Sequence, residues 1–477
     1  MEELIRVPAD AHYFAAVGAV LFGKESELLF ADFHHGSTHD NTYQGTQRLQ
    51  EYLSHGRLTK LESSGVVRDG LVKSAQEIEE FAATYGIPPF DPPSFAPSTT
   101  VACYLGIDGG STSSKLAIID EKGELIYRDY VLSQGNPIVD AREMFQRIQS
   151  WTQSHAITLD IKGTAATGYA ASILAQAFQL DHTVVETVAH MRSAVTAYGE
   201  VDIICDVGGQ DIKVLFMKHG RVADFKLNTQ CSAGNGYFLQ SMAQQFGVPI
   251  QEYAARAFRA AKAPAFNYGC AVFMEQDRVN FQQMGWSNDE IMAGLALVLP
   301  LNIWNYVVQD VNIARFGHRI LLQGGTQKNL AAVKAQVEYI QSKVPHAQVH
   351  VHRYAEICGA IGAALESRFA NEGRSSRFIG IEQASAIAFT VTNDASTRCH
   401  FCTNRCTRTF IDIEVQGGVR YISGYGCERG RADRSSAAPT LSKPCDRPSS
   451  GSSSARTSST ANCFAIAVAV GRLSPVS

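Results

Sequence analysis

No stretch of this sequence reads G-x-x-x-x-G-K-[ST], and no G-x-G-x-x-G follows a strand pattern. The phosphate cradles of P-loop enzymes and of dinucleotide-binding folds are therefore excluded. An excess of either charge is also missing: 42 basic against 46 acidic residues leave a net charge of −4. Such a balance gives no electrostatic footprint for nucleic acid or an anionic membrane, and neither is expected as a partner. Long apolar runs are scarce. The run "YFAAVGAVLF" (13–22) is preceded by Glu2, Glu3 and Asp10 against Arg6 alone, and no small-residue cleavage site follows it. It is far short of the roughly 20 apolar residues of a membrane helix and lacks the basic lead of a secretory signal, so a cytoplasmic location is expected. Cysteine is too sparse for a disulfide scaffold, at 11 in 477 residues, yet Cys399, Cys402, Cys406 and Cys427 fall in one short region. In a cytosolic setting such a cluster points to metal before disulfide.

What is present is an ordinary globular composition, 45% hydrophobic and 18% charged. The length sets a prior of about three domains. "IPPFDPPSFAPSTT" (87–100) reads as a proline-rich linker and puts a boundary near residue 99. Beyond it, "VACYLGID", "SKLAIID" and "ELIYRDYV" have the spacing of a three-stranded meander, followed by a helical pattern near 138–155. From residue 201 the same grammar returns as "VDIICD", "DIKVLFM" and "RVADFKL". Asp108 stands seven residues before Lys115, and Asp206 seven before Lys213; Gly110 and Gly208 each stand two after their aspartate. These shared offsets predict a duplication. A second echo relates "AHYFAAVGAVL" (11–21) to "YAEICGAIGAALE" (354–366), with Gly18 falling on Gly362. Small residues at these spacings predict a helix packed closely on a neighbour. The first copy is expected to be the tail of a preceding repeat, so the chain reads as a fragment. From 431 the composition collapses into Ser, Arg, Pro and Ala, which cannot bury enough apolar surface to order itself. A disordered tail or an altered reading frame is expected there.

The glycine turns suggest their own chemistry. A tight hairpin of backbone N–H groups is an anion nest, and glycine lets a phosphate approach it closely. An aspartate at the preceding strand end holds magnesium through water, since Mg²⁺ keeps most of its hydration shell. "DGGSTSSK" offers Asp108, Gly109, Gly110, Ser111, Thr112 and Lys115; "DVGGQDIK" offers Asp206, Gly208, Gly209, Gln210 and Asp211. Two such hairpins would grip one ATP–Mg²⁺ from both sides. "LLQGGTQKN" (321–329) supplies a third turn at Gly324 and Gly325, placed for an adenosine contact.

Taken together, "YLGIDGGSTSSK", "CDVGGQDIK", "QCSAGNGYFLQSMA", "CAVFMEQDRV" and "LLQGGTQKN" resemble the BadF/BadG/BcrA/BcrD ATPase family over about residues 101–368. These are the activators of 2-hydroxyacyl-CoA dehydratases and the ATPase subunits of benzoyl-CoA reductase. The resemblance implies an α/β, actin/hexokinase/Hsp70-like duplicated ATPase fold. It also implies a homodimer sharing one [4Fe–4S] cluster, with phosphate-contacting aspartates at Asp108 and Asp206 and cluster ligands at Cys231 and Cys270. Each of these cysteines opens a helical pattern, where a helix N-terminus favours the anionic cluster. A cubane takes four thiolates, so two per chain call for two chains.

The sequence departs from the commoner family form after Cys270, where "CAVF" replaces a polar residue, and it carries extra segments before 99 and after 370. Those segments resemble the long activases. The organisation expected on that basis is 1–28 the tail of a preceding repeat, 29–98 a connector, 99–198 lobe 1, 199–370 lobe 2, 371–430 a cysteine-rich metal segment and 431–477 a tail. Cys399-x2-Cys402-x3-Cys406 with Cys427 offers four thiols for zinc or an iron–sulfur centre, in neither a standard zinc-finger nor a ferredoxin spacing.

The resulting expectation is an ATP-hydrolysing activase. It would pass a low-potential electron, received from reduced ferredoxin or flavodoxin, to a CoA-thioester dehydratase or reductase. Asp108, Asp206 and Gln210 would serve catalysis. A sugar-type kinase of the same fold is the alternative; it needs a carboxylate base at the acceptor hydroxyl and has no use for paired cysteines. A non-catalytic, nucleotide-gated scaffold is a third.

Overall fold

The duplicated hairpins head two sheets of identical topology. In this computed structural model, residues 10–30, 45–51, 67–228, 234–310, 312–414, 418–427 and 430 are described. Cys231, much of the connector before residue 67 and the tail from 431 lie outside them.

A short strand β1 (Val67–Asp69) precedes lobe 1, whose strands are β2 (Thr100–Gly109), β3 (Ser113–Asp120), β4 (Leu125–Leu132), β5 (Thr158–Thr167) and β6 (His182–Thr183). Lobe 2 carries β7 (Ile203–Val207), β8 (Ile212–Lys218), β9 (Arg221–Asn228), β10 (Lys262–Pro264), β11 (Arg319–Gln323) and β12 (Gln348–Val351). Lobe 1 is ordered β4-β3-β2-β5-β6 and lobe 2 β9-β8-β7-β11-β12. Each is an antiparallel meander whose first strand is then joined by two parallel strands. The first strands are buried on both faces, which is why they read as near-continuous apolar runs. The seven-residue Asp–Lys offset is a register effect: Asp108 is the cross-strand partner of Lys115, and Asp206 of Lys213.

The helices used below are α1 (Phe14–Phe30), α2 (Ala75–Tyr85), α3 (Pro137–Ser154), α4 (Glu186–Tyr198), α5 (Gly236–Gln245), α6 (Ala271–Gln283), α7 (Asn288–Leu301), α8 (Leu330–Lys343) and α9 (Cys358–Ala370). Helix α9 packs directly on β2 and crosses α4. A Cβ on Gly106 would sit 2.0 Å from the Ala360 carbonyl, and one on Gly362 would sit 1.8 Å from the Ala189 carbonyl. Only glycine allows those approaches. In α1, which shares the small-residue pattern, Gly18 has nothing within 4 Å, and Phe14, Val17, Val20 and Phe22 are exposed.

The connector straps the two lobes. β1 pairs antiparallel with β10, and Glu77 of α2 pairs with Lys334 of α8, so both anchors are on lobe 2. In the proline-rich segment Phe90 meets Tyr354 of lobe 2 and Arg128 of lobe 1, and Phe95 meets Trp151 of lobe 1.

Among the described residues, one helix, Asn288–Val308, is long and apolar enough to cross a membrane. Its apolar window is 72% buried inside the protein, with Ile291, Leu295, Leu299 and Trp304 in the core. Residues 391–411, with described residues from Ile422 on, form a second, small unit, and β13 (Phe389–Thr392), β14 (Thr409–Ile413) and β15 (Val419–Ser423) make a three-stranded sheet.

Candidate nucleotide-binding site

Both hairpins close in the same way. The amide two residues after each aspartate donates to the carbonyl five after it: Gly110 to Ser113 at 3.1 Å and Gly208 to Asp211 at 2.9 Å. The tips face one another between the lobes. Ser111 Oγ donates to Gln210 Oε1 at 2.6 Å, and a Cβ on Gly209 would meet Thr112 Oγ1 at 2.9 Å. Gly324 is left-handed (φ 95°) and presses on the end of β7, where a Cβ would fall 2.3 Å from the Val207 carbonyl. Gly325 then opens a single turn from which Thr326 Oγ1 donates to the Gly208 carbonyl at 3.1 Å. Three separate glycine turns, at 109–110, 208–209 and 324–325, thus meet at one cleft.

The two aspartates are both buried, at 4% and 2% exposure. Asp108 lies 3.4 Å from Lys115 Nζ and against the first turn of α9, where a Cβ on Gly359 would come within 2.8 Å of Oδ2. A helix N-terminus stabilises a carboxylate placed there. Gly168 (φ 82°) faces its other oxygen, Oδ1, which accepts no hydrogen bond. Asp206 Oδ2 has His190 Nδ1 at 2.8 Å as its ion-pair neighbour but accepts no aligned hydrogen bond. Buried carboxylate oxygens without donors, beside glycine turns that leave room for phosphate, fit magnesium held through water.

Burial works against charge at His190, yet Asp206 and Glu186 outweigh it and raise its pKa to about 10. Burial likewise opposes ionisation of Asp206, but His190 and Lys213 hold its pKa below the usual value. Lys213, only 4% exposed, pairs with Glu186 at 2.9 Å and Asp211 at 2.6 Å and stays protonated.

Around Cys270 the geometry is partly described. Cys270 is the half-buried N-cap of α6. The preceding amide, Gly269, donates to Asn302 Oδ1 at 2.7 Å, and Gly234 lies over the Cβ of the same Asn302. The segment after Cys231 and the residue before Cys270 therefore share one buried neighbour. Helix α5 is fastened to the second hairpin: Gly236 N donates to Gly208 O at 2.9 Å, Tyr237 N to Gly209 O at 2.8 Å and Asn235 Nδ2 to Gln210 O at 2.7 Å.

Cys399, Cys402, Cys406 and Cys427, the expected C-terminal metal ligands, all lie among the described residues. Among the described residues no three His, Cys, Asp or Glu side chains gather to hold a metal ion. Cys399 is buried while Cys402 and Cys427 are exposed. The strand-like bond from Cys399 N to Cys406 O turns the chain here without collecting the four thiols.

Sequence reasoning passed over Glu186, His190, Asn302 and Thr326. Only the first two left a signal, a Glu and a His one helical turn apart in "ETVAH".

The sequence profile of the BadF/BadG/BcrA/BcrD ATPase family matches residues 105–367. The (R)-2-hydroxyglutaryl-CoA dehydratase activating ATPase of Acidaminococcus fermentans is 27% identical over 261 residues, 55% of this chain and 95% of that protein. A component of the benzoyl-CoA reductase of Thauera aromatica is 26% identical over 272 residues, 56% of this chain and 93% of its own length. The activator of the 2-hydroxyisocaproyl-CoA dehydratase from Clostridium difficile, solved with bound ADPNP, superposes with a TM-score of 0.50. It is 24% identical, covering 57% of this chain and 96% of that one, and shares its two-lobed fold. With more than half of its length matched by that profile, the chain belongs to the BadF/BadG/BcrA/BcrD ATPase family and is an ATPase.

Proposed function

We propose that the chain is an activase whose ATP hydrolysis delivers a low-potential electron to a CoA-thioester dehydratase or reductase. The observation that carries this reading is the direct wiring of α5 to the second hairpin. Three hydrogen bonds join Gly208, Gly209 and Gln210 to the helix start that follows Cys231. A change at the nucleotide is thereby felt a few residues from one thiol, and Asn302 ties that region to Cys270. The names of the relatives support the same class of partner.

Asp108 and Asp206 would hold magnesium through water, the glycine turns would receive the phosphates, and Gln210 would orient the attacking water. Cys231 and Cys270 of two chains would hold a [4Fe–4S] cluster, which supplies the electron when bound. Tyr268, Val272 and Phe273 flank Cys270 and are 53%, 71% and 71% exposed, which suits an apolar contact with the second copy. Reduced ferredoxin or flavodoxin is the donor in this reading, and the cytoplasm its location. A nucleotide drives such a change only through different affinity for two dimer states.

The test is purification without oxygen. About two iron atoms per chain are expected in a dimer. Cys231→Ser and Cys270→Ser should each lose iron and the dimer while keeping nucleotide affinity. An iron-free wild type, or a monomeric Cys231→Ser retaining full iron, would falsify the bridging site and return the kinase reading.

A further inference from the structure

Behind Asp206 lies a row of buried and half-buried ionisable groups that the phosphate hairpins themselves do not require. Asp211, Lys213, Glu186, His190 and Asp206 alternate in sign, with contacts of 2.6, 2.9, 3.7 and 2.8 Å. Asp206 ends the row at the cleft. Glu186 and His190 stand one turn apart on α4, so a single helix face supplies both middle members. The imidazole is 6% exposed, with each ring nitrogen turned to a different carboxylate. Beside Asp206 at the same ring nitrogen is Gln323, fully buried on β11 and the register partner of Asp206, with Nε2 3.0 Å from Nδ1.

We propose that Glu186 and His190 are positioning residues that hold the Asp206 carboxylate toward the cleft and thereby set the rate of hydrolysis more than nucleotide affinity. The inference rests on reading Asp206 as the carboxylate that holds magnesium through water. Two features make this more than a structural ion pair. Oδ2 of Asp206 accepts no aligned hydrogen bond from any described residue, and the His190 ring is its ion-pair neighbour at 2.8 Å. The clamp is also carried by the helix that α9 crosses at Ala189, the residue next to His190. Since α9 rests on β2 of lobe 1 through Gly106, a shift between the lobes is passed through α9 to the ring that holds Asp206.

Outer residues that orient a metal-holding group change activity or metal affinity by roughly 10–100-fold when removed. His190→Ala in the full chain should lower kcat by about 100-fold at saturating ATP–Mg²⁺. His190→Gln, which keeps one donor beside Asp206, should recover part of this and fall about 10-fold. Glu186→Gln should fall between wild type and His190→Ala. KM, and the affinity for a non-hydrolysable ATP analogue measured without turnover, should stay within about threefold of wild type. Thermal melting identifies the variants that fold. If His190→Ala does not, His190→Gln and Glu186→Gln decide.

A folded His190 variant with wild-type kcat, or an analogue affinity that falls in step with kcat, overturns the proposal. Asp206→Asn separates the two layers. If it keeps turnover, the role given to Asp206 fails and the clamp with it. If it is inactive while His190→Ala is active, only the clamp fails.

Discussion

The two hairpins are copies in sequence offset, strand register and closing hydrogen bond, yet their aspartates are seated by different means. Asp108 rests between Lys115 and the N-terminal turn of α9, where Gly359 leaves room for its carboxylate. Asp206 rests against a buried imidazolium that is itself held by Glu186, and Lys213 belongs to the same row of charges. Duplication thus reproduced the part that is local to a hairpin, and the two inter-lobe helices supplied what differs. A backbone dipole is rigid and permanent, whereas an ion-paired side chain follows the helix that carries it. The second hairpin is therefore the one exposed to movement between the lobes, and it is also the one bonded to α5.

Neutralising the carboxylates should give the largest effect. Asp206→Ala and Asp108→Ala should each lower ATP turnover by on the order of 10²–10³-fold, because each removes a carboxylate proposed to hold the magnesium that offsets the charge of the reacting phosphates. Iron content should be unchanged in both, since neither residue lies at the cysteines. Iron lost together with turnover would show that these positions are structural.

The lysines separate the copies by stability. Lys213→Met leaves Glu186 and Asp211 without their shared cation. The expected cost is on the order of 3 kcal/mol, the low end for breaking a buried pair. Their side chains keep 35% and 28% exposure, which places it there. Lys115→Met leaves Asp108 still seated at α9 and should cost about 1–2 kcal/mol. Urea unfolding of the two variants checks the order, and equal costs would erase the distinction drawn between the copies.

Acid should act on the second copy first. His352 is 1% exposed, accepts from Tyr354 N at Nδ1 and meets Ser193 Oγ of α4 at 3.2 Å. Burial lowers its pKa to about 4 from an ordinary value of 6.5. The unfolded chain therefore takes up the proton first, and stability is full above about pH 6.5 and is lost as pH falls toward 4. Between pH 7 and 5.5 this one group should remove about 1 kcal/mol. His352→Gln should flatten that part of the stability–pH curve. An unchanged slope would place the acid sensitivity elsewhere.

Both glycine hairpins, their aspartates and the meander strands were legible in the sequence because each is a short-range object. An apolar run, a turn and a cross-strand pair seven residues apart are fixed by neighbours in the chain. The small-residue helix at 354–366 was legible too, since only a close crossing calls for Gly362. The four C-terminal cysteines were read in the same local way, as spacing alone proposed them as ligands, and among the described residues no three ligating side chains gather. His190 and Asn302 were passed over, because a buried histidine or asparagine reads as core until its partners are known. Those partners are remote: Asp206 is on another element from His190, and Asn302 receives Gly269 across 33 residues. The strap from β10 to Trp151 is invisible in the same way, its proline-rich stretch announcing a linker but not that both ends are anchored. By itself, then, the sequence determined the paired phosphate turns, their carboxylates and the ATPase family, all of which are written in local spacing. Only the tertiary structure decided which helix braces which aspartate, because that depends on where α4 and α9 cross between the lobes.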